Sequence, residues 1–200
     1  MRYLVLSDSH GNIANMETAV ERERPDGILH LGDCWRDAER LAERYPDILM
    51  EHVPGNCDCR PEEPLEKLVI LGDCRVLLCH GHTYGVKTSL LAAGLKAEQD
   101  RLDAFLFGHT HKPLVDRRGR TLFLNPGSIG TGLRPTYGIL TVGDNRLDGR
   151  TVFLDAPAAG HLRVMQTVCH RDGKRIHGKT HAQQGAVEEK QKTPFHNDAS

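Results

Sequence analysis

Tyr3-Leu4-Val5-Leu6-Ser7-Asp8-Ser9-His10 is a short apolar run that ends in a carboxylate and an imidazole, and the same arrangement recurs four times. Gly27-Ile28-Leu29-His30-Leu31 leads to Gly32-Asp33, and Ile48-Leu49-Met50 continues through Val53 to Gly55-Asn56. Val76-Leu77-Leu78-Cys79 leads to His80, and Phe105-Leu106-Phe107 leads to Gly108-His109-Thr110-His111. Apolar runs of this length bounded by turn residues read as buried strands. In open α/β sheets ligands collect outside the carboxyl ends of the strands, so five such ends can gather seven metal-capable side chains into one centre.

The segments between these runs carry helical spacing. Ile13, Met16 and Val20 follow Asn12, a competent cap, so residues 12 to 24 predict a helix and, with the flanking strands, a βαβ unit. A second helix is expected at Ala38, Leu41 and Tyr45, ending before Pro46, and a third at Val86, Leu90, Leu91 and Leu95 within residues 86 to 100. Residues 67 to 71 and 74 to 79 read as a hairpin across Gly72-Asp73. From residue 104 onward short strands alternate with turns such as Arg117-Arg118-Gly119 and Gly143-Asp144-Asn145. A βα half followed by a β-rich half predicts an α/β fold, a layered α-β-β-α sandwich of two facing mixed sheets flanked by helices.

Two hundred residues, 38% apolar and 26% charged, suffice for one domain with a sizeable core, expected over residues 1 to 170. Residues 171 to 200 hold six Lys or Arg, four Asp or Glu and three His among scattered apolar residues, which reads as a polar, disordered tail. A formal net charge of -1 supplies no field to recruit extended nucleic acid or an anionic membrane. The apolar run after Met1-Arg2 is far too short for a signal-peptide core or a spanning helix, so a cytoplasmic location and no membrane association are expected. The six cysteines show no CxxC pair and read as reduced thiols. Of the twelve histidines, His10, His80, His82, His109 and His111 flank apolar runs, whereas His161, His170, His177, His181 and His196 come late, the last three in polar sequence.

Taken in order, Asp8-x-His10, Gly32-Asp33, Gly55-Asn56-Cys57-Asp58, His80-Gly81-His82 and Gly108-His109-Thr110-His111 resemble the calcineurin-like metallophosphoesterases. The short length, the Gly-Asn-Cys-Asp motif and the later Asn125-Pro126-Gly127-Ser128 look most like the small YfcE-type phosphodiesterases, whose eukaryotic relatives include a retromer scaffold subunit. The resemblance covers roughly residues 1 to 155. It implies one metal held by Asp8, His10 and His111, a second held by Asn56, His80 and His109, and Asp33 bridging them. Imidazole and carboxylate suit manganese, iron, zinc or nickel, of which manganese is the first expectation, and the neutral Asn56 amide adds coordination without charge. Glycines beside the ligands are expected to turn the backbone sharply away from each strand.

Two such metals activate a bridging water and clamp the oxygens of an in-line displacement, which predicts phosphodiester hydrolysis by direct attack of the bridging hydroxide on a small or nucleotide-derived ester. Many larger superfamily members carry a His where this chain has Cys57, so the obvious leaving-group acid is missing. His82 is the candidate substitute, with a supporting role beside His80 or a phosphate contact as the alternative. Asn12 reads equally as a phosphate contact and as a helix cap. Asn125 to Ser128 reads as a structural turn first, with direct substrate contact as the alternative, and Arg134 as a solvated loop residue that can also pair with phosphate.

Two other functions share these residues. A phosphomonoesterase or protein phosphatase differs only in the pocket. A non-catalytic interaction scaffold on the same fold has no physical need for seven metal-capable side chains, and exposed apolar patches would argue for it. Aromatic content of 5% and the lack of a basic stripe disfavour a strand-gripping nucleic-acid binder, while a single nucleotide or other small phosphodiester fits, and a homo-oligomer is compatible with the sequence.

Overall fold

Each apolar run ending in a metal-capable side chain forms a strand or leads out of one, and the strands sort into two sheets. The computed structural model describes residues 1–59, 63–130, 132, 134–143, 146–155 and 166–167. Strand β1 (Arg2–Leu6), helix α1 (Ile13–Glu23), β2 (Gly27–His30), α2 (Trp35–Arg44) and β3 (Leu49–His52) form consecutive βα steps in which β1, β2 and β3 are parallel. Then come the hairpin β4 (Glu66–Leu71) and β5 (Cys74–Cys79), a 3-10 turn at His82–Tyr84, helix α3 (Leu91–Gln99) and β6 (Ala104–Leu106), parallel to β5. The chain finishes in β7 (Leu114–Arg118), β8 (Thr121–Asn125), β9 (Thr136–Gly143), β10 (Arg146–Phe153) and β11 (Gln166–Thr167).

The first sheet runs β11-β10-β9-β1-β2-β3 and the second β4-β5-β6-β8-β7, each mixing parallel and antiparallel pairs. The period-2 alternation of strand side chains then builds three apolar layers. Tyr3, Val5 and Leu29 of the first sheet meet Val76, Leu78, Leu106 and Leu124 of the second. Leu4, Leu6 and Ile28 point the other way, onto Met16 and Val20 of α1 and Leu41 of α2. Leu77, Phe105 and Phe123 face α3. Burying each fully enclosed Leu or Ile is worth about 1.5–3 kcal/mol relative to leaving it in water. This is the expected four-layer α-β-β-α sandwich.

Helix α1 is capped as its sequence predicts: Asn15 N donates to Asn12 Oδ1 at 3.2 Å. Helix α2 ends with Tyr45 as its C-cap, before Pro46. The third helix departs from expectation. Val86 to Leu90 lie in the turn that leaves the 3-10 segment, α3 begins only at Leu91, and Leu91 and Leu95 are exposed. Ala93 and Ala97 form the buried face instead, because Phe105, Phe107 and Phe123 already fill the layer beneath the helix and leave room only for small side chains. Among the described residues, no helix is long and apolar enough to cross a membrane. Residues 144 and 145 of the last expected turn, the late histidines from His161 onward and the tail at 171 to 200 lie outside the described residues.

Candidate metal centre

Because β1, β2 and β3 are parallel in one sheet and β5 and β6 are parallel in the other, their carboxyl ends form two rows along one edge of the sandwich. Asp8, Asp33 and Asn56 stand in the first row, and His80, His109 and His111 in the second. Hydrogen bonds tie the rows together. His80 Nδ1 lies 2.8 Å from the Leu31 carbonyl, and the His109 backbone N–H donates to Asp8 Oδ2 at 3.1 Å. His111 Nε2 sits 2.9 Å from Asp8 Oδ1.

The seven expected ligands fall into two overlapping groups. Donor atoms of Asp8, His10, Asp33 and His111 all lie within 4.8 Å of one another. On the other side, His80 Nε2 is 3.1 Å from Asn56 Oδ1 and 3.4 Å from Asp33 Oδ1, and the His109 ring centroid is 5.0 Å from that of His80. Asp33 faces both groups, with Oδ1 towards His80 and Oδ2 3.9 Å from His10 Nε2.

The donor set fits a cation. A carbonyl only accepts, so His80 donates to Leu31 from Nδ1, and in that tautomer the Nε2 lone pair faces two oxygens that are themselves acceptors. Three lone pairs converging without a proton repel one another unless a positive charge lies between them. Asp8 Oδ1 points the same way: it is buried and makes no well-aligned hydrogen bond, its near neighbour being the His111 Nε2 of the same donor group at 2.9 Å, whereas Oδ2 takes the Ser7 hydroxyl at 2.6 Å and the His109 N–H. Imidazole nitrogens with carboxylate and amide oxygens suit first-row divalent metals.

The backbone is bent hard to make this arrangement. Asp8, His10, Asp33, His109 and His111 all have positive φ, between 46° and 67°. Non-glycine residues there carry strain and persist only where the surroundings overdetermine them. Asp8 is held by Asp8 N to Gly32 O at 2.9 Å and by the Ser128 hydroxyl on its carbonyl at 2.9 Å. The glycines act in two ways rather than the one expected. Gly32 and Gly81 do turn the chain with positive φ, but Gly55 and Gly108 are needed for close approach: a Cβ would lie 2.1 Å from Asp33 Oδ1 at the former and 1.9 Å from Ser7 Oγ at the latter.

Electrostatics follow from the crowding. Burial works against the Asp33 carboxylate, but the Cys57 N–H at 3.0 Å, His80 and His10 outweigh it and hold its pKa below the usual range. Burial, His80 and Lys87 push His109 down to about 4, and burial and His80 also lower His82. Hydrogen bonding to Asp33 and desolvation push the Cys57 thiol up to about 11.

His82 lies beside the second group, its ring centroid 5.5 Å from that of His80 and 6.1 Å from that of His109, with Nδ1 buried and unpartnered. Cys57 is exposed next to Asn56. Asn12 is engaged by the helix it caps and by the Gly130 carbonyl at 3.4 Å. Arg134 turns to Asp155 and stacks over Phe153, 4.0 Å from the ring centroid. Asn125 is buried and structural, its amide donating to Gly108 O at 2.7 Å and Thr110 Oγ1 at 3.0 Å, so it fixes the turn that carries His109 and His111. Asp58 was overlooked at the level of sequence. Its Oδ1 accepts from the backbone N–H of Cys34 and Trp35 and its Oδ2 from Gly55, which pins the Asn56 loop to the start of α2. The signal was there, an Asp two residues beyond Asn56 within the same motif.

Residues 1–145 match the calcineurin-like phosphoesterase superfamily domain. The chain is 34% identical over 172 residues to the probable metallophosphoesterase YsnB of Bacillus subtilis, covering 83% of this chain and 97% of that protein. It is 28% identical over 167 residues to the phosphodiesterase YfcE of Escherichia coli K12, covering 70% and 87%. Among solved structures, Vps29 of Entamoeba histolytica in complex with zinc superposes with a TM-score of 0.66 at 21% identity, over 84% of this chain and 99% of that one.

Proposed function

Because the chain belongs to the calcineurin-like phosphoesterase superfamily, we propose that it is a two-metal phosphodiesterase acting on a small or nucleotide-derived ester in the cytoplasm. One observation carries this: His80 Nε2, Asn56 Oδ1 and Asp33 Oδ1 converge as acceptors beside the Asp8, His10, Asp33 and His111 group, so one carboxylate serves two adjoining donor sets. Asp8, His10 and His111 would hold one divalent ion and Asn56, His80 and His109 the other, with Asp33 between. Manganese is the first expectation, with nickel, zinc or iron next, since a mixed set of imidazole nitrogens and carboxylate or amide oxygens can accept any of them. When bound, such ions would lower the pKa of a coordinated water and neutralise phosphate charge, the chemistry of a hydrolysis that needs no phosphoenzyme.

The side chains do the rest. Asp33 stays ionised, His80 is locked by Leu31 with Nε2 inward, and His109 is neutral and ready to coordinate. The Cys57 thiol keeps its proton at neutral pH, so it offers no thiolate for a phosphoenzyme. His82, with its lowered pKa, is neutral near pH 7 and acts better as a hydrogen-bond donor to phosphate than as the acid for the leaving group. That favours esters with good leaving groups.

The deciding experiment supplies manganese, nickel, zinc and magnesium in turn to metal-stripped protein and assays a panel of monoesters and diesters, cyclic nucleotides and a bis-aryl phosphate included. Turnover of diesters with manganese is expected. No bound metal and no turnover would overturn the proposal, and hydrolysis confined to monoesters would move it to a phosphomonoesterase or protein phosphatase. His82→Ala is expected to slow activated and unactivated esters alike; a selective loss on unactivated esters would make His82 the acid. One observation favours an interaction scaffold as the second reading: Leu68 and Ile70 of β4 and Leu91 and Leu95 of α3 are exposed apolar side chains on elements of the second sheet and its covering layer.

A further inference from the structure

We infer that Asp37 is a positioning residue that fixes His10 for its metal, an inference that rests on the two-metal reading above. Asp37 occupies the third position of α2, where an acidic side chain usually serves its own helix. That duty is taken: Asp58 Oδ1 already accepts from the first backbone N–H groups of α2. Asp37 is buried and reaches away from its helix, its Oδ2 accepting from the Gly11 N–H at 2.7 Å and from the Ser9 hydroxyl at 2.8 Å.

These two donors bracket His10. The loop from Asp8 to Gly11 is contorted, with φ of 55° at Asp8, 46° at His10 and 87° at Gly11. Asp8 has further restraints in Gly32, Ser128 and Gly130. His10 is not within that set, and the peptide that follows it is held by Asp37 through Gly11. The Ser9 hydroxyl extends the clamp, lying 3.3 Å from the Asp33 carbonyl and 3.3 Å from His30 Nε2, so one carboxylate oxygen on α2 links the β1 and β2 ligand loops. Asp37 touches no expected ligand atom and acts through the backbone. Removing such an outer partner costs about 10- to 100-fold in metal affinity.

The test counts metal rather than turnover. Manganese or zinc is titrated into metal-stripped protein against a competing chromogenic chelator, for wild type, Asp37→Ala, Asp37→Asn, Ser9→Ala, His10→Ala and the double variant Asp37→Ala/His10→Ala, each with a urea melt. Wild type is expected to take two ions. Asp37→Ala should weaken one of them by about 10- to 100-fold and leave the other in place. Asp37→Asn, which retains a carbonyl acceptor, should recover most of the loss, and Ser9→Ala should weaken the same ion less. In the His10→Ala background the Asp37 change should add nothing at that ion. Equal weakening of both ions, no weakening, no recovery in Asp37→Asn or additive losses in the double variant would overturn the inference while leaving the two-metal proposal intact. A wild type that binds no metal would overturn both.

Discussion

His30 gives the protein a defined sensitivity to acid. The ring is fully buried, and its polar atoms are satisfied only when it is neutral: Nδ1 accepts from the Gly32 N–H at 3.4 Å, and Nε2–H faces the Ser9 hydroxyl oxygen at 3.3 Å, whose own proton goes to Asp37. A proton on Nδ1 would oppose Gly32. Burial first, then the neighbouring His52 and His80, depress its pKa from 6.5 to about 3. A group depressed on folding contributes stability that is fully present above its unfolded pKa and is lost as pH falls, because the unfolded chain binds the proton first. At about 1.4 kcal/mol per unit, the loss begins near pH 6.5 and reaches about 2 kcal/mol at pH 5, against a typical total of 5–15 kcal/mol. Urea melts of chelator-treated protein between pH 7.5 and 5.0 measure it. His52, His82 and His109 are lowered too, so the wild type should lose more than the His30 share. His30→Asn should reduce the pH slope below 6.5 by close to one proton, whatever its absolute stability. An unchanged slope, or a His30 ring resonance titrating above pH 5 in the folded protein, would refute the reasoning.

Gly108→Ala should cost about 1–3 kcal/mol by melting and reduce metal content, because its Cβ would displace the Ser7 hydroxyl that supports Asp8; wild-type values of both would contradict the close-approach argument. Metal titration should be biphasic, since one group offers Asp8 and Asp33 with two imidazoles while the other offers Asn56 in place of a second carboxylate; Asn56→Ala should abolish only the weaker phase, and loss of the tighter one would reverse the assignment. Cys57→Ser should keep activity within a few-fold, because Asp33 is supported by the backbone N–H of residue 57, and a thousand-fold loss would mean the thiol takes part.

What the sequence made legible is what short range determines. Apolar runs ending in Asp8, Asp33, Asn56, His80 and His109 are strand ends because strand burial and strand termination are both local, and parallel pairing then leaves one edge on which they can gather. The inward face of α3 was illegible for the opposite reason. Leu91 and Leu95 have the better helical apolar spacing, yet the space under the helix is set by Phe105, Phe107 and Phe123 from other strands, and only Ala93 and Ala97 fit. Gly55 and Gly108 were likewise misread, since a glycine required by a side chain 22 or 101 positions away looks in sequence like any turn glycine; at Gly55 that side chain is Asp33 and at Gly108 it is Ser7. Asp37 is the sharpest case, an acidic residue in a first helical turn by every local rule, yet spent on a loop 26 residues earlier. The two levels divide the labour of the site. The identity of the candidate ligands is written in motifs, whereas their geometry, five strained backbones at the edge of two sheets, is written in contacts between distant segments, which is why changes at Gly108 or Asp37 should disturb metal binding although neither residue is among the candidate ligands.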